Sequence, residues 1–204
     1  MPTRIVTLTP ERRVPNQRGL QTRQKLLDAT IELLATRPYR DIKVMDIAHV
    51  VGTSPATFYQ YFANIEGVVL EASGFLAEES NAALGDFKDG SWSSDGMSGA
   101  TRLVDAVLDG WSGHLPVMRV LTAVAAERDP RFVKAYAEAT RPVIRALTAA
   151  TTNGTGKGLV HALVSCLTAA AGHDSVGKVQ GLTKHQRRQG LALLVHAAVS
   201  STAA

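Results

Sequence analysis

Residues 44–63 read VMDIAHVVGTSPATFYQYFA, and this stretch decides the architecture. Ile47 and Val51 are one helical turn apart and can face inward together. Ala48 is small enough to let a second helix cross closely. Gly52 falls where the first helix must stop and the chain reverse, a position that favours left-handed backbone. Ser54 is a good N-cap, and Pro55 follows at the first helical position. Phe58 and Phe62 repeat at i+4 and can bury, with Tyr61 bridging toward the same side. Pro55, Ala56, Thr57, Tyr59 and Gln60 are left at the start and outer face of the second helix. The pattern predicts two short helices, Val44 to Val51 and Pro55 to Phe62, joined by a tight turn.

Outward from this motif, helical periodicity dominates. Leu26, Leu27, Ala29, Thr30, Ile31, Leu33 and Leu34 keep an i, i+3, i+4, i+7 spacing. Arg37-Pro38 ends that helix, because a residue before proline avoids the α region. A longer helix is expected from about 64 to 87. Residues 88–99, KDGSWSSDGMSG, are the clearest break and read as a loop or hinge that Trp92 can pin to the body. Further helices are expected at about 100–113, 115–126, 130–150, 157–172 and 183–201. Pro142 inside a helical pattern predicts a kink or a boundary. Strand signals are scarce apart from Ile5-Val6-Thr7-Leu8. The expected fold is all-α. It has a basic arm at 1–19, a three-helix head with helix-turn-helix at 20–64, and a larger helical body at 65–204.

The 204 residues carry a formal net charge of +4, unevenly placed. Residues 1–25 hold six basic residues and one acid, a net of +5, so the remainder is −1. A basic arm on a near-neutral body fits either a polyanion partner at that end or a solvated tail.

Composition excludes several classes. No run approaches the ~18 apolar residues of a membrane span, and MPTRIVTLTPERRVP has no apolar signal-peptide core, so the expected location is cytoplasmic. Cys166 is the lone cysteine, and no histidine spacing suits a metal site. Gly154-Thr-Gly156-Lys157-Gly158 lacks a preceding strand and reads as a connection between helices rather than a phosphate loop. His173-Asp174, in a Gly/Ser-flanked turn, is the sole adjacent acid/base pair of note, with no nucleophile beside it. Neither an enzyme nor a cofactor is expected.

A helix with small residues at its N-terminus can enter a major groove, and that terminus favours a nearby phosphate. IAHVVGTSPATFYQYF resembles the signature of the TetR family of one-component transcriptional repressors, roughly I-A-x-x-[AV]-G-[VT]-S-x-[GA]-T-[LF]-Y-x-[YH]-F. Ile47, Ala48, Gly52, Ser54, Ala56, Thr57, Phe58, Tyr59, Tyr61 and Phe62 take the matching places, and the resemblance covers about residues 20–80. It implies that Ala56 and Thr57 face bases while Tyr59 and Tyr61 reach phosphates. The competing reading is that the tyrosines form an amphipathic rim with their hydroxyls in water. Ser54 and Pro55 open the reading helix. Gln60 can pair with adenine or lie solvated. The family's capping Ser or Thr is replaced by Lys43, leaving Asp41 to cap from outside or Lys43 to meet a phosphate. Its usual lysine after the YxYF is replaced by Ile65.

The resemblance also implies an effector among the middle helices, with Trp111, His114, Met118, Phe132 and Tyr136 as candidates. Core packing is the competing role for each. Trp111, His114 and Met118 could share one wall if a helix ran through them. Apolar stripes containing Leu159, Leu163 and Leu167, then Leu191, Leu194, Val195 and Ala198, fit the family's four-helix dimer bundle or the protomer's own core. The expected protein is a homodimeric repressor that leaves a palindromic double-stranded operator when a small, largely apolar effector binds. The alternative is a DNA-binding regulator whose body engages a protein and no small ligand.

Overall fold

The three-residue 3-10 turn Tyr39–Asp41 shows how the first helix hands over to the motif. Helix α1 (Gln17–Thr36) buries Leu26, Leu27, Ala29, Thr30 and Leu34 and stops just short of Pro38. A computed structural model describes residues 17–151, 156–174 and 178–201. The arm as far as residue 16, including Ile5 to Leu8, lies outside the described residues, and so does part of the Gly154–Gly158 run. Residues 17–19, expected in the arm, belong to α1.

After α1 come α2 (Val44–Val51), α3 (Pro55–Tyr61) and α4 (Ile65–Ala83). Helices α5 (Gly96–Ser112), α6 (Leu115–Ala126), α7 (Pro130–Ala149), α8 (Gly156–Asp174) and α9 (Lys184–Ser200) form the body. The fold is all-α, with a two-residue antiparallel ladder, β1 (Lys178–Val179) and β2 (Leu182–Thr183), between α8 and α9. Its turn, Gln180-Gly181, takes φ of 50° and 81°, the left-handed pair that matches hairpin twist.

Helix α4 joins head to body. Its N-cap Asn64 Oδ1 accepts from the Gly67 amide at 2.9 Å. Val68, Val69, Ala72 and Leu76 are buried on its inner side, where it packs against α1, α5, α6 and α7. Pro142 sits within α7 and buries there; the helix continues through it to Ala149. His173 and Asp174 are the last residues of α8 rather than members of a turn, and Asp174 is buried in an ion-pair cluster.

The break at 88–99 is ordered, with a 3-10 helix at Ser91–Asp95. Trp92 is buried and donates Nε1–H to the Ala146 carbonyl at 3.3 Å. Gly90 has φ of 78°, and a Cβ there would lie 2.4 Å from the Ala149 carbonyl oxygen. Gly90→Ala is therefore expected to destabilise by about 2 kcal/mol or more, since left-handed backbone alone costs a side chain ~1–2 kcal/mol. Thermal melts should show this as a drop in Tm of several degrees. An unchanged Tm would mean that the loop simply shifts.

Candidate nucleic-acid interface

The motif forms as its residues dictate. Helix α2 buries Ile47 and Ala48. Gly52 takes φ 71° and ψ 38°, and the next amide, Thr53, donates to the Ala48 carbonyl at 2.8 Å. The αL residue turns the chain within two positions and sets the crossing of α2 and α3.

Ser54 Oγ accepts from the Thr57 amide at 3.3 Å and lies 3.1 Å from the Thr57 hydroxyl. Thr57 is thus held by its own cap, half-buried, with one hydroxyl bond already made. Phe58 and Phe62 are buried with ring centroids 5.7 Å apart. Tyr59 is 59% exposed, and its ring meets Phe58 edge-on at 5.7 Å, which fixes its direction without covering it. Pro55, Ala56 and Gln60 are exposed on the same outer side, whereas Tyr61 is half-buried against the core. On α2, Met45, His49 and Val50 are exposed as well.

Lys43 occupies the N-cap of α2, but its side chain does not cap the helix. The Asp46 carboxylate does so in reverse, accepting from the Lys43 amide at 2.9 Å. Asp41 contributes no cap; its carbonyl accepts from Arg37 at 2.7 Å. The Lys43 amide hydrogen bond, followed by the nearby Arg37 at 3.2 Å, holds the Asp46 carboxyl below its usual range. The Lys43 ammonium is left on the surface beside the motif.

Arg23 is legible in the sequence only as a member of the basic N-terminal count. It spans the head, making a two-pronged bond with Glu71 on α4 while its guanidinium lies 4.8 Å from the Phe62 ring centroid. The residue thereby pins the end of α3 to the long connecting helix. Its partner lies 48 positions away, so no local pattern announces it.

In the body the effector candidates separate. Trp111 is buried and donates to Ser80 Oγ at 3.0 Å, and Phe132 is fully buried. Helix α5 ends at Ser112, so His114 is the N-cap of α6 and no single helix carries Trp111, His114 and Met118. His114 Nε2 lies 2.9 Å from Glu79 on α4. Met118 and Tyr136 both line one groove of about 430 Å³ between α6, α7 and α8, where Tyr136 Oη is 3.4 Å from Thr168 Oγ1.

The dimer candidates divide in the same way. Leu163, Leu167, Val195 and Ala198 are buried in the protomer's own core, and Leu159 and Leu191 pack partly against it. Leu194 is exposed, and so is its neighbour Leu193. The outward side of α8 carries Ala162, Cys166 and Ala169 at steps of four and three.

Residues 85–203 match the model of the tetracycline-repressor-like C-terminal domain, and residues 26–72 match that of bacterial regulatory proteins of the tetR family. The chain belongs to the TetR family. Its relatives include TcmR, an HTH-type transcriptional regulator of Streptomyces glaucescens, 33% identical over 144 residues. That match spans 64% of this chain and 62% of the relative. A TetR-like transcriptional regulator from Rhodococcus sp. RHA1 shares the fold at a TM-score of 0.65 and 19% identity, over 90% of this chain and 96% of its own. A protein from Saccharomonospora viridis, solved in complex with choline, is similar at 0.59 and 21%, over 84% and 94%. Among the described residues of this TetR-family chain no helix is long and apolar enough to cross a membrane, and no metal-ligand cluster occurs.

Proposed function

We propose that this chain is a homodimeric DNA-binding regulator that represses from a palindromic operator and leaves it when a small effector binds. The observation that carries the reading is the outer face of α3. A glycine turn and a serine cap hold Pro55, Ala56, Tyr59 and Gln60 outward while both phenylalanines anchor the helix. Ala56 and Thr57 read bases, Tyr59, Tyr61 and Lys43 meet phosphates, and Gln60 pairs with adenine. Selection of bound duplexes from a random pool tests this directly. The expected outcome is a palindrome whose half-sites lie about one helical turn, roughly 34–36 Å, apart. A selected pool with no common sequence would overturn the reading.

The outward residues of α8 and α9, with Leu193 and Leu194, form the dimer face. The groove at Met118 and Tyr136 receives the effector; the neighbour solved with choline supports a body able to hold a small molecule. A second reading, in which the body engages a protein instead, draws support from the filled interior around Trp111 and Phe132. Release of operator by a protein-free extract would decide for the small molecule.

The basic arm adds phosphate contacts. Removing residues 1–16 is expected to lower operator affinity and to reduce the log–log salt slope by about 0.9 for each phosphate no longer neutralised. Titrations at several salt concentrations measure this, and an unchanged slope would leave the arm a solvated tail.

A further inference from the structure

A groove of about 480 Å³ runs between the head and the body. One wall is the end of α1 and the turn after it, with Leu34, Ala35 and Pro38. The other is a face of α6, with Val120, Ala123 and Val124. This groove is distinct from the one at Met118 and Tyr136, although Arg119 and Ala123 border both.

The groove's charge is lopsided. Among the described residues Arg37, Arg40 and Arg119 line it against a single carboxylate, Glu127. Two of the three arginines have acidic partners: Arg40 pairs with Glu127, and Arg37 lies 3.2 Å from Asp46. Arg119 differs. Its Nη2 donates to the Leu34 carbonyl at 2.6 Å across the groove, and among the described residues no carboxylate pairs with it. A guanidinium has five donors in a planar fork. One bond to a carbonyl leaves it able to take a carboxylate without giving up its tie to α1.

We infer that this groove binds an amphipathic monoanion, a carboxylate on a compact apolar body. The carboxylate sits on Arg119 and the apolar portion lies between Ala35 and Val124. Apolar walls supply the burial, and the excess of arginine selects the sign of charge. Such a ligand touches the head with one side and the body with the other. Occupancy therefore favours whichever head placement the ligand fits better, and it shifts DNA binding only as far as its affinity differs between placements. The ligand step needs no DNA, so its failure is separable from failure of the operator reading.

The test is calorimetric titration of the full chain with naphthalene-2-carboxylate and with its neutral amide, without DNA. The acid is expected to bind about tenfold or more tighter than the amide, the scale of one charge-assisted contact. Arg119→Met keeps the aliphatic stem and should erase that preference while leaving amide binding within about twofold. Ala35→Leu fills the groove from an exposed helix position that leucine suits, and should weaken both compounds by about tenfold or more. Circular dichroism melts establish that both variants are folded. No binding of the acid at millimolar concentration, or equal affinity for acid and amide, overturns the inference. So does full retention of binding in Ala35→Leu, because the ligand would then occupy the neighbouring groove that Arg119 also borders.

Discussion

Arg188→Met is expected to destabilise the chain by about 3 kcal/mol, the low end of what breaking a buried ion pair costs. Arg188 is 12% exposed and lies at the meeting of α5, α8 and α9. It donates to Asp105 at 2.8 Å, to Asp109 at 2.6 Å and to both oxygens of Asp174, at 3.2 and 2.6 Å. Asp174 is only 7% exposed, and Lys184 Nζ lies 3.0 Å from it. Methionine preserves much of the volume but leaves three carboxylates facing one half-exposed lysine. Asp105 and Asp109 are near enough to water to rehydrate, which keeps the cost at the lower end; Asp174 is not.

The pH dependence follows from Asp174. Burial raises its pKa, but hydrogen bonds from Arg188 and Lys184 outweigh that and hold the carboxyl below the usual carboxylate range. Its contribution to stability is complete above the unfolded value near 4 and is lost as pH falls through the lower folded value. In Arg188→Met most of the opposing attraction is gone, so protonation relieves strain that the native chain never has. The stability gap between native chain and variant should begin to narrow as pH falls toward about 4 and go on narrowing below it. Urea titrations across pH measure the gap, and Arg188→Met combined with Asp174→Asn should recover most of the loss. A constant gap would mean that Asp174 is not the group left stranded.

The second large effect concerns assembly. Leu193→Glu is expected to convert a dimer to a folded monomer and to weaken operator binding by about 100-fold or more, because one head then holds one half-site without its tethered partner. Sedimentation reads the first change and titration of operator the second. Leu163→Glu makes the contrast. That side chain lies in the protomer core, so the substitution should unfold the body rather than dissociate a dimer of intact subunits. A Leu193→Glu protein that stayed dimeric would place the interface elsewhere.

The head could be read from the sequence because each of its constraints is local. A glycine, a serine cap, a proline and two phenylalanines four apart act within a single supersecondary unit, and together they leave little choice of backbone. The helices of the body are legible for the same reason. The direction of their faces is not. Leu163 and Leu167 on α8 and Val195 on α9 belong to apolar stripes that suit a partner chain as well as they suit α5, and only tertiary packing decides between them. The Arg188 cluster joins residues up to 83 positions apart, and the head–body groove exists only because α1 and α6 meet there. Asp46 capping Lys43 from inside the helix marks the opposite limit. A cap is expected ahead of α2 because serine and threonine caps stand there and accept from amides of the first turn, whereas the acid at the third position satisfies a different donor, the amide of Lys43 itself.

Trp92 and Trp111 are the chain's two tryptophans, and both are buried in the body, pinned to Ala146 and Ser80. The head holds tyrosines but no indole. Excited at 295 nm, the protein therefore emits from the body alone, and unfolding of the DNA-reading unit is dark in that channel. Melts followed by emission and by far-ultraviolet ellipticity should coincide if head and body unfold as one, and diverge if the head lets go first.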